Sequence, residues 1–504
     1  MTVDYDLVVI GNSAAGIYAA IKAARLKARV ALVEQQISDE PLLGTVSDRV
    51  LAEIGTMLGT MRRGEGLGIL NPASSTVAFT QLVEQANQWS RVATAAIAAL
   101  RSPAVLSTLG IEVIAGQGEF YRKPTLGFTV NGRSLRSRAY LIAAVPFRPV
   151  LPDVYNPQEL QAIEFITADH ALLQLDKLKR PGNLVLIGAE PKGVELAQTL
   201  NKLGFQVTLM VRNSHILPTA DPEAAYLIQA QLEAEGIEVL TRTTVTQIKQ
   251  IQGKKWVQTA AWSPESGEII RQDNSPGNLA IETDGIVLAT GQKPDLAALN
   301  LEAAGITWNE SEGLALNQKL QTDNPRIYVC AELSGNHSAS DLELCRAKVA
   351  VNNALFFPIS KFLDQPIPRI VNSTPELAGI GLTEPAAIAR YGKDVWVLRQ
   401  YFKTLPQAQI QGDTGFCKLI VRRNGDLLGA HLVGPHVSEL ISPIALVMQQ
   451  NRKVQTLAKL NLPSSVLSII ISQTAAEWHH LKLTHNRRSQ DLLECLFDWW
   501  RSWR

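Results

Sequence analysis

The chain has 504 residues, 46% of them hydrophobic and 19% charged, with 48 basic and 47 acidic residues for a formal net charge of +1. That length suggests about three domains of roughly 100–200 residues, and the near-zero charge argues against a nucleic-acid binder, which carries a basic excess. Four scattered cysteines, Cys330, Cys345, Cys417 and Cys495, make no disulfide framework or CxxC pair, and the eight histidines make no cluster with them. No metal site is therefore expected, and a reducing, cytoplasmic setting is. The first residues lack the basic run of a signal peptide. No apolar stretch approaches the roughly 20 residues of a spanning helix.

Taken in order, Tyr5–Ile10 is a continuous apolar, β-branched run, as in a strand covered on both faces. Gly11 to Gly16 reads as a tight turn, Ile17 to Leu26 as an Ala-rich helix, and Val30 to Val33 as a second strand ending at Glu34. The pattern recurs with Asn183–Ile187, the turn Gly188 to Gly193, a helix from Val194 to Leu203 and a strand from Gln206 to Val211. One glycine turn is weak evidence; two in strand–turn–helix context point to two dinucleotide-type βαβ units. Further strands are expected at Lys255–Ala261, Gly285–Ala289 and Arg326–Cys330, then a linker over Phe356–Pro368. Val395–Phe402, Phe416–Val421 and Leu427–Val433 alternate as antiparallel strands, the last two joined at Arg423-Asn424-Gly425-Asp426. Helices over Val437–Gln450 and Val454–Leu460 complete a separate α+β domain.

With these motifs the chain resembles the FAD-dependent pyridine nucleotide–disulfide oxidoreductases, the family of dihydrolipoamide dehydrogenase, glutathione reductase and mercuric reductase. The resemblance runs from about Asp4 to Trp478 and is closest at Pro368 to Val371, Thr374 to Ala378, Gly381 to Glu384, Gly415 to Leu419 and Leu428 to His431. It implies an α/β fold with two Rossmann-like dinucleotide-binding domains, for FAD and NAD(P), and a C-terminal α+β dimerisation domain. The expected boundaries are 1–150 and 286–360 for the two parts of the FAD domain, 151–285 for the NAD(P)-like domain, 361–480 for dimerisation and 481–504 for an amphipathic tail. A homodimer follows from the resemblance.

In the first turn, Gly11, Ser13, Ala14, Ala15 and Gly16 stand where backbone N–H groups meet a pyrophosphate. Ser13 replaces the middle glycine, and its hydroxyl can donate to a phosphate oxygen. Glu34 stands where a ribose-binding carboxylate belongs. The resemblance makes this the ADP half of an FAD site, extended by Gly118, Gly291 and Glu332; the alternative is a βαβ unit that binds nothing. The family's first Ala-Thr-Gly reads Ala144-Val145-Pro146, and its Gly-Asp reads Ala331-Glu332. In the second turn Gly188 and Gly193 are in place, but Glu190 takes the middle glycine's position, where a carboxylate crowds and repels a pyrophosphate. Lys192 could compensate by pairing with Glu190 or a phosphate. Arg212 after the second strand, with no ribose carboxylate, suits NADP(H) over NAD(H); a retained but empty scaffold is the alternative.

The resemblance also exposes losses. Val46 follows Gly44-Thr45 where the family carries its first redox cysteine, and about six residues around the second are missing. A thiolate is the required nucleophile in dithiol exchange. Leu462 and Leu467 stand for the family's C-terminal His and Glu, and neither titrates. Arg49 takes the place of a lysine that, in the family, pairs near flavin N5 with the glutamate found here as Glu195; the alternative is an ordinary surface arginine. Gln490–Arg504 places Leu493, Leu496, Phe497, Trp500 and Trp503 at helical spacing with arginines nearby, which fits a membrane surface, a protein partner or packing on its own domain. The expected function is hydride transfer from NAD(P)H through FAD to a small non-disulfide acceptor such as a quinone, a nicotinamide or oxygen. The rival is an inactive flavoprotein or scaffold acting through its dimer domain and tail.

Overall fold

The computed structural model describes residues 3–35, 40–69, 79–122, 125–152, 163–169, 171–178, 182–270, 279–309, 313–331, 333, 340–362, 366–485 and 487–503. It divides into two compact units, Met1–Arg212 with Thr243–Asp364, and Asn213–Arg242 with Gln365–Arg504.

In the first unit, β1 (Tyr5–Ile10), α1 (Ala14–Arg25) and β2 (Val30–Glu34) form a βαβ unit. β1 lies between β2 and β4 (Ser137–Ile142), all parallel; β3 (Ile111–Ala115) extends one side and the strand Ile327–Val329 the other. The unbroken apolar run of β1 has a direct cause. Leu7 and Val9 enter the core on the α1 side, while Tyr5, Val8 and Ile10 enter the opposite core with Phe120, Phe128 and Tyr140. From Leu7 to Ile10 both faces are dry, so no position there alternates to polar; Asp6, near the strand's start, is partly exposed and pairs with Arg29 and Arg138.

After β2 comes a helical hairpin, α2 (Glu40–Gly66) and α3 (Phe79–Ala99), packed together. The second parallel sheet has the order β7-β6-β8-β5, from β5 (Ile166–Thr167), β6 (Asn183–Ile187), β7 (Gln206–Met210) and β8 (Gly285–Leu288). α4 (Pro191–Lys202) follows β6 and packs on α2. A Cβ on Gly55 of α2 would stand 3.0 Å from Thr199 Oγ1 of α4, so the small residue sets how closely these helices approach. Two short antiparallel strands, Phe147–Pro149 and Gln292–Pro294, carry the chain from the first sheet to the second and back. The resemblance implies a helix through Ser47–Leu51 and a strand at Gly118; the pairing of α2 with α3 and the strands Gly127–Val130 and Arg133–Leu135 were not among the expected elements.

The second unit holds a five-stranded antiparallel sheet in the order β9-β10-β13-β12-β11: β9 (Arg369–Val371), β10 (Glu376–Gly381), β11 (Val395–Tyr401), β12 (Phe416–Arg422) and β13 (Leu427–Gly434). Gly425 takes φ +92°, which closes the expected β12–β13 hairpin at low steric cost. α5 (Val437–Gln449) and α6 (Ile469–Thr484) cover the sheet, with Ile441, Ile471 and Trp478 packed on Leu419 and Leu432. α7 (Arg487–Ser502) ends the chain. It touches α6 of its own domain, the packing that was one of the expected options, and leaves its aromatic end exposed. Leu492, Trp499, Trp500 and Trp503 are all more than half exposed.

Candidate functional site

The two glycine turns are built alike at the carboxyl ends of their strands. Gly11 follows β1 at φ +106°, and Gly188 follows β6 at φ +107°. A Cβ on Gly16 would fall 2.2 Å from the Gly11 carbonyl oxygen, and one on Gly193 would fall 2.4 Å from that of Gly188. Each turn therefore presses its helix N-terminus onto the preceding strand with no room for a side chain. That leaves unpaired N–H groups of the helix's first turn to face an anion. Ala14 opens α1, and Ala15 is fully buried behind it.

Ser13 caps α1 by accepting from Gly16 N at 3.2 Å, and its hydroxyl donates to the Ala143 carbonyl at 2.7 Å. A hydroxyl has one proton, and here Ser13 uses the one expected for a phosphate to tie α1 to the segment after β4. Glu34, half-buried, ends β2, and its carbonyl accepts from Gly116 N at 2.9 Å. Gly118 opens the small antiparallel sheet, where a Cβ would meet the Phe128 ring at 2.4 Å. Gly291 (φ +87°) accepts from Val150 N at 3.0 Å on the return crossing. Glu332 lies outside the described residues. Cys330 is fully buried in the core, and burial pushes its thiol well above the usual range. All four cysteines are free.

FAD fits these residues on an observation of the fold: Gly11 and Gly16 form a cradle that any Cβ would fill. The second turn has the same cradle, but Glu190 stands at the N-cap of α4 with no side-chain cap bond. Arg212 stacks over the Trp262 ring at 4.8 Å and donates from Nε to Thr244 Oγ1 at 2.9 Å, which holds its guanidinium beyond the end of β7.

Arg49 is exposed on α2, and Glu195 is half-buried on α4, the helix that packs against it. Beside them lies a polar cluster that the sequence reading missed. Lys192 Nζ sits 3.3 Å from Asp48 Oδ2 and also pairs with Asp169 Oδ1, while Gln292 Nε2 donates to Asp169 Oδ2. Lys192 thus turns to Asp48 and Asp169 in place of the Glu190 or phosphate partner expected. α2 brings an aspartate into reach of its Nζ, and that gap in the chain is invisible from local spacing. Burial pushes the Asp48 carboxyl up to about 6; Lys192 pulls it down, and Asp169 and Glu195 add to the rise. Burial alone would lower Lys192, but Asp48 and Asp169 hold its ammonium above the usual range. Ser47, next to Asp48, is fully buried, and its hydroxyl has no hydrogen-bond partner among the described residues. The one signal in the sequence was Asp169 just after the β-branched pair Ile166-Thr167, a strand that was not expected.

No metal-holding group of His, Cys, Asp and Glu occurs among the described residues, and no helix among them is long and apolar enough to cross a membrane.

Residues 5–354 match the model of the pyridine nucleotide-disulphide oxidoreductase family, and residues 367–465 match its dimerisation domain. The chain is 28% identical to a mercuric reductase of Staphylococcus aureus over 90% of this chain and 79% of that protein. It is 28% identical to a dihydrolipoyl dehydrogenase of Thermus scotoductus over 94% of this chain and 97% of that one. Among solved structures, LpdA of Mycobacterium tuberculosis superposes with TM-score 0.78 at 21% identity, covering 94% of this chain and 99% of that chain, which is a likeness of fold. The chain belongs to the pyridine nucleotide-disulphide oxidoreductase family, as a flavoprotein oxidoreductase with FAD as its cofactor and a dimerisation domain that supports a homodimer.

Proposed function

We propose that this protein passes a hydride from NADPH through FAD to a small acceptor other than a disulfide, a quinone being the acceptor class best suited to it. The observation that carries the reading is the intact glycine cradle at Gly11 and Gly16; it is supported by Val46, which the resemblance aligns with the family's first redox cysteine. FAD, when bound, supplies two-electron transfer between the nicotinamide and the acceptor. The chain's own residues do the rest. Gly11, Ala14, Ala15 and Gly16 hold the pyrophosphate, Glu34 the ribose, and Gly118, Gly291 and Glu332 further parts of the cofactor. Gly188 and Gly193 leave room for a second dinucleotide, and Arg212 offers a cation to a 2′-phosphate. Arg49 and Glu195 bring a charge pair to the reactive side of the flavin, where negative charge develops on reduction. Neither Leu462 nor Leu467 can move a proton, which supports an acceptor other than a dithiol.

A cytoplasmic location is part of this reading, with the exposed tryptophans of α7 resting on a membrane surface where a lipid-soluble quinone is found. Glu190 at the N-cap of α4 favours a second reading, an inactive flavoprotein or scaffold, because its carboxylate opposes a pyrophosphate there. An anaerobic absorbance titration with NADPH and then NADH separates the two. Bleaching of the flavin supports the reductase and shows which nicotinamide it uses; a flavin that neither nucleotide bleaches puts the inactive reading first.

A further inference from the structure

We propose that Asp48, held by Lys192 and Asp169, delivers the proton that accompanies electron transfer to a quinone-type acceptor. The proposal rests on the reading of this chain as a flavin-dependent reductase, and it concerns a site that the family's thiols and C-terminal histidine do not provide.

Placement is the first support. Asp169 lies two residues beyond β5, Lys192 lies in the first turn of α4 just beyond β6, and Gln292 lies beyond β8, so three neighbouring parallel strands aim their carboxyl ends at one cluster. Ligands of open α/β sheets bind at that edge. α2 adds Asp48 from the other side.

The second support is incomplete satisfaction. The Ser47 hydroxyl is buried with no partner among the described residues. Leaving such a group unmet is unfavourable, and a bound molecule or water that pairs with it removes that cost. The side chains of Asp48 and Lys192 are 26% and 34% exposed, which is closed enough to shift a proton equilibrium and open enough to be reached.

The third support is the charge set around Asp48. Lys192 and Glu195 face it from α4 and Asp169 from the segment after β5, while Arg49 is its neighbour on α2 and the charged residues of α3, Glu84 and Arg91, are exposed. Burial favours the acid most, Lys192 favours the carboxylate, Asp169 and Glu195 favour the acid, and the carboxyl is pushed up to about 6. A donor working near neutrality needs that balance.

The step balances. A quinone becoming a quinol gains two electrons and two protons. A hydride brings both electrons and one proton and leaves the flavin oxidised. The Asp48 carboxyl gives the second proton to the quinone oxygen, becomes a carboxylate paired with Lys192, and regains a proton from water. Lys192 and Asp169 are positioning residues in this scheme.

The test uses the full-length, FAD-loaded protein. Flavin midpoint potential is measured against reference dyes from about pH 5 to about pH 8, where such a group changes charge. Turnover of a soluble quinone is measured on the same samples. The wild-type potential is expected to bend near pH 6. Asp48→Asn should abolish the bend and lower kcat by about 10²-fold, while Asp48→Glu restores both. Lys192→Met should move the bend to higher pH and Asp169→Asn to lower pH, opposite shifts that a merely structural role would not produce. An Asp48→Asn protein that binds FAD, is bleached by NADPH, and keeps both bend and kcat overturns this proposal alone. A wild-type protein that cannot be loaded with FAD overturns it together with the reading on which it rests.

Discussion

Lys192 Nζ lies 3.3 Å from a carboxylate oxygen of Asp48, a residue 144 positions away in the chain, and this contact ties α2 to the start of α4. It has a consequence for stability. The Asp48 carboxyl is raised from its ordinary 3.8 to about 6, chiefly by burial. A raised group favours the folded state while it stays protonated, so its contribution is full below the ordinary value and is lost as pH rises through about 6. Asp48→Asn removes that loss. The variant's thermal midpoint should therefore gain on that of the wild type across this window, in parallel scans at several pH values. A difference that stays constant with pH would contradict the assignment.

Lys418 makes a different kind of cluster. Its side chain is 2% exposed and pairs with Asp221, Glu223 and Glu384 at 2.8, 3.1 and 2.6 Å. Burial alone would raise Asp221, but the Lys418 ammonium and the Glu384 backbone N–H hold it below the usual carboxylate range. Lys418→Met leaves the fully buried Asp221 without its cation, a change that costs roughly 3–5 kcal/mol. Denaturant unfolding should show a loss of that size.

The glycine cradle gives a test of flavin binding independent of turnover. Gly16→Ala puts a methyl group 2.2 Å from the Gly11 carbonyl oxygen, so the helix must move off the strand. Purified Gly16→Ala protein should carry little or no FAD by absorbance. Gly66→Ala, where nothing lies within 4 Å of the new methyl, should carry as much as the wild type. Equal flavin content in both would sink the assignment of this turn.

The exposed face of α7 leads to a fourth prediction. Replacing Trp499, Trp500 and Trp503 with serine removes side chains that are 52%, 62% and 77% exposed. Surface changes of this kind shift stability by only about 0.5 kcal/mol each, so the unfolding midpoint should hardly move. Co-sedimentation with lipid vesicles should fall sharply if α7 rests on a membrane. No wild-type co-sedimentation would leave α7 to a protein partner.

The sequence by itself determined the two βαβ units, the antiparallel domain and its β12–β13 hairpin. Each of these is written in local pattern: unbroken apolar strands, glycines at positive φ, and alternation over adjacent strands. The family assignment was legible for the same reason, since the glycines at 11, 16, 188 and 193 follow from steric needs that any such turn has. Tertiary structure alone decided what the polar residues do. Local pattern offers the Ser13 hydroxyl to a phosphate, yet it donates to Ala143, because the segment after β4 passes within 2.7 Å. Local spacing offers Lys192 its neighbour Glu190 or a phosphate, yet Asp48 and Asp169 flank it, from 144 and 23 residues away. Apolar periodicity reports which face of an element is dry. It carries no record of which distant charge the folded chain will set beside a lysine, and that choice gives this site its proton chemistry.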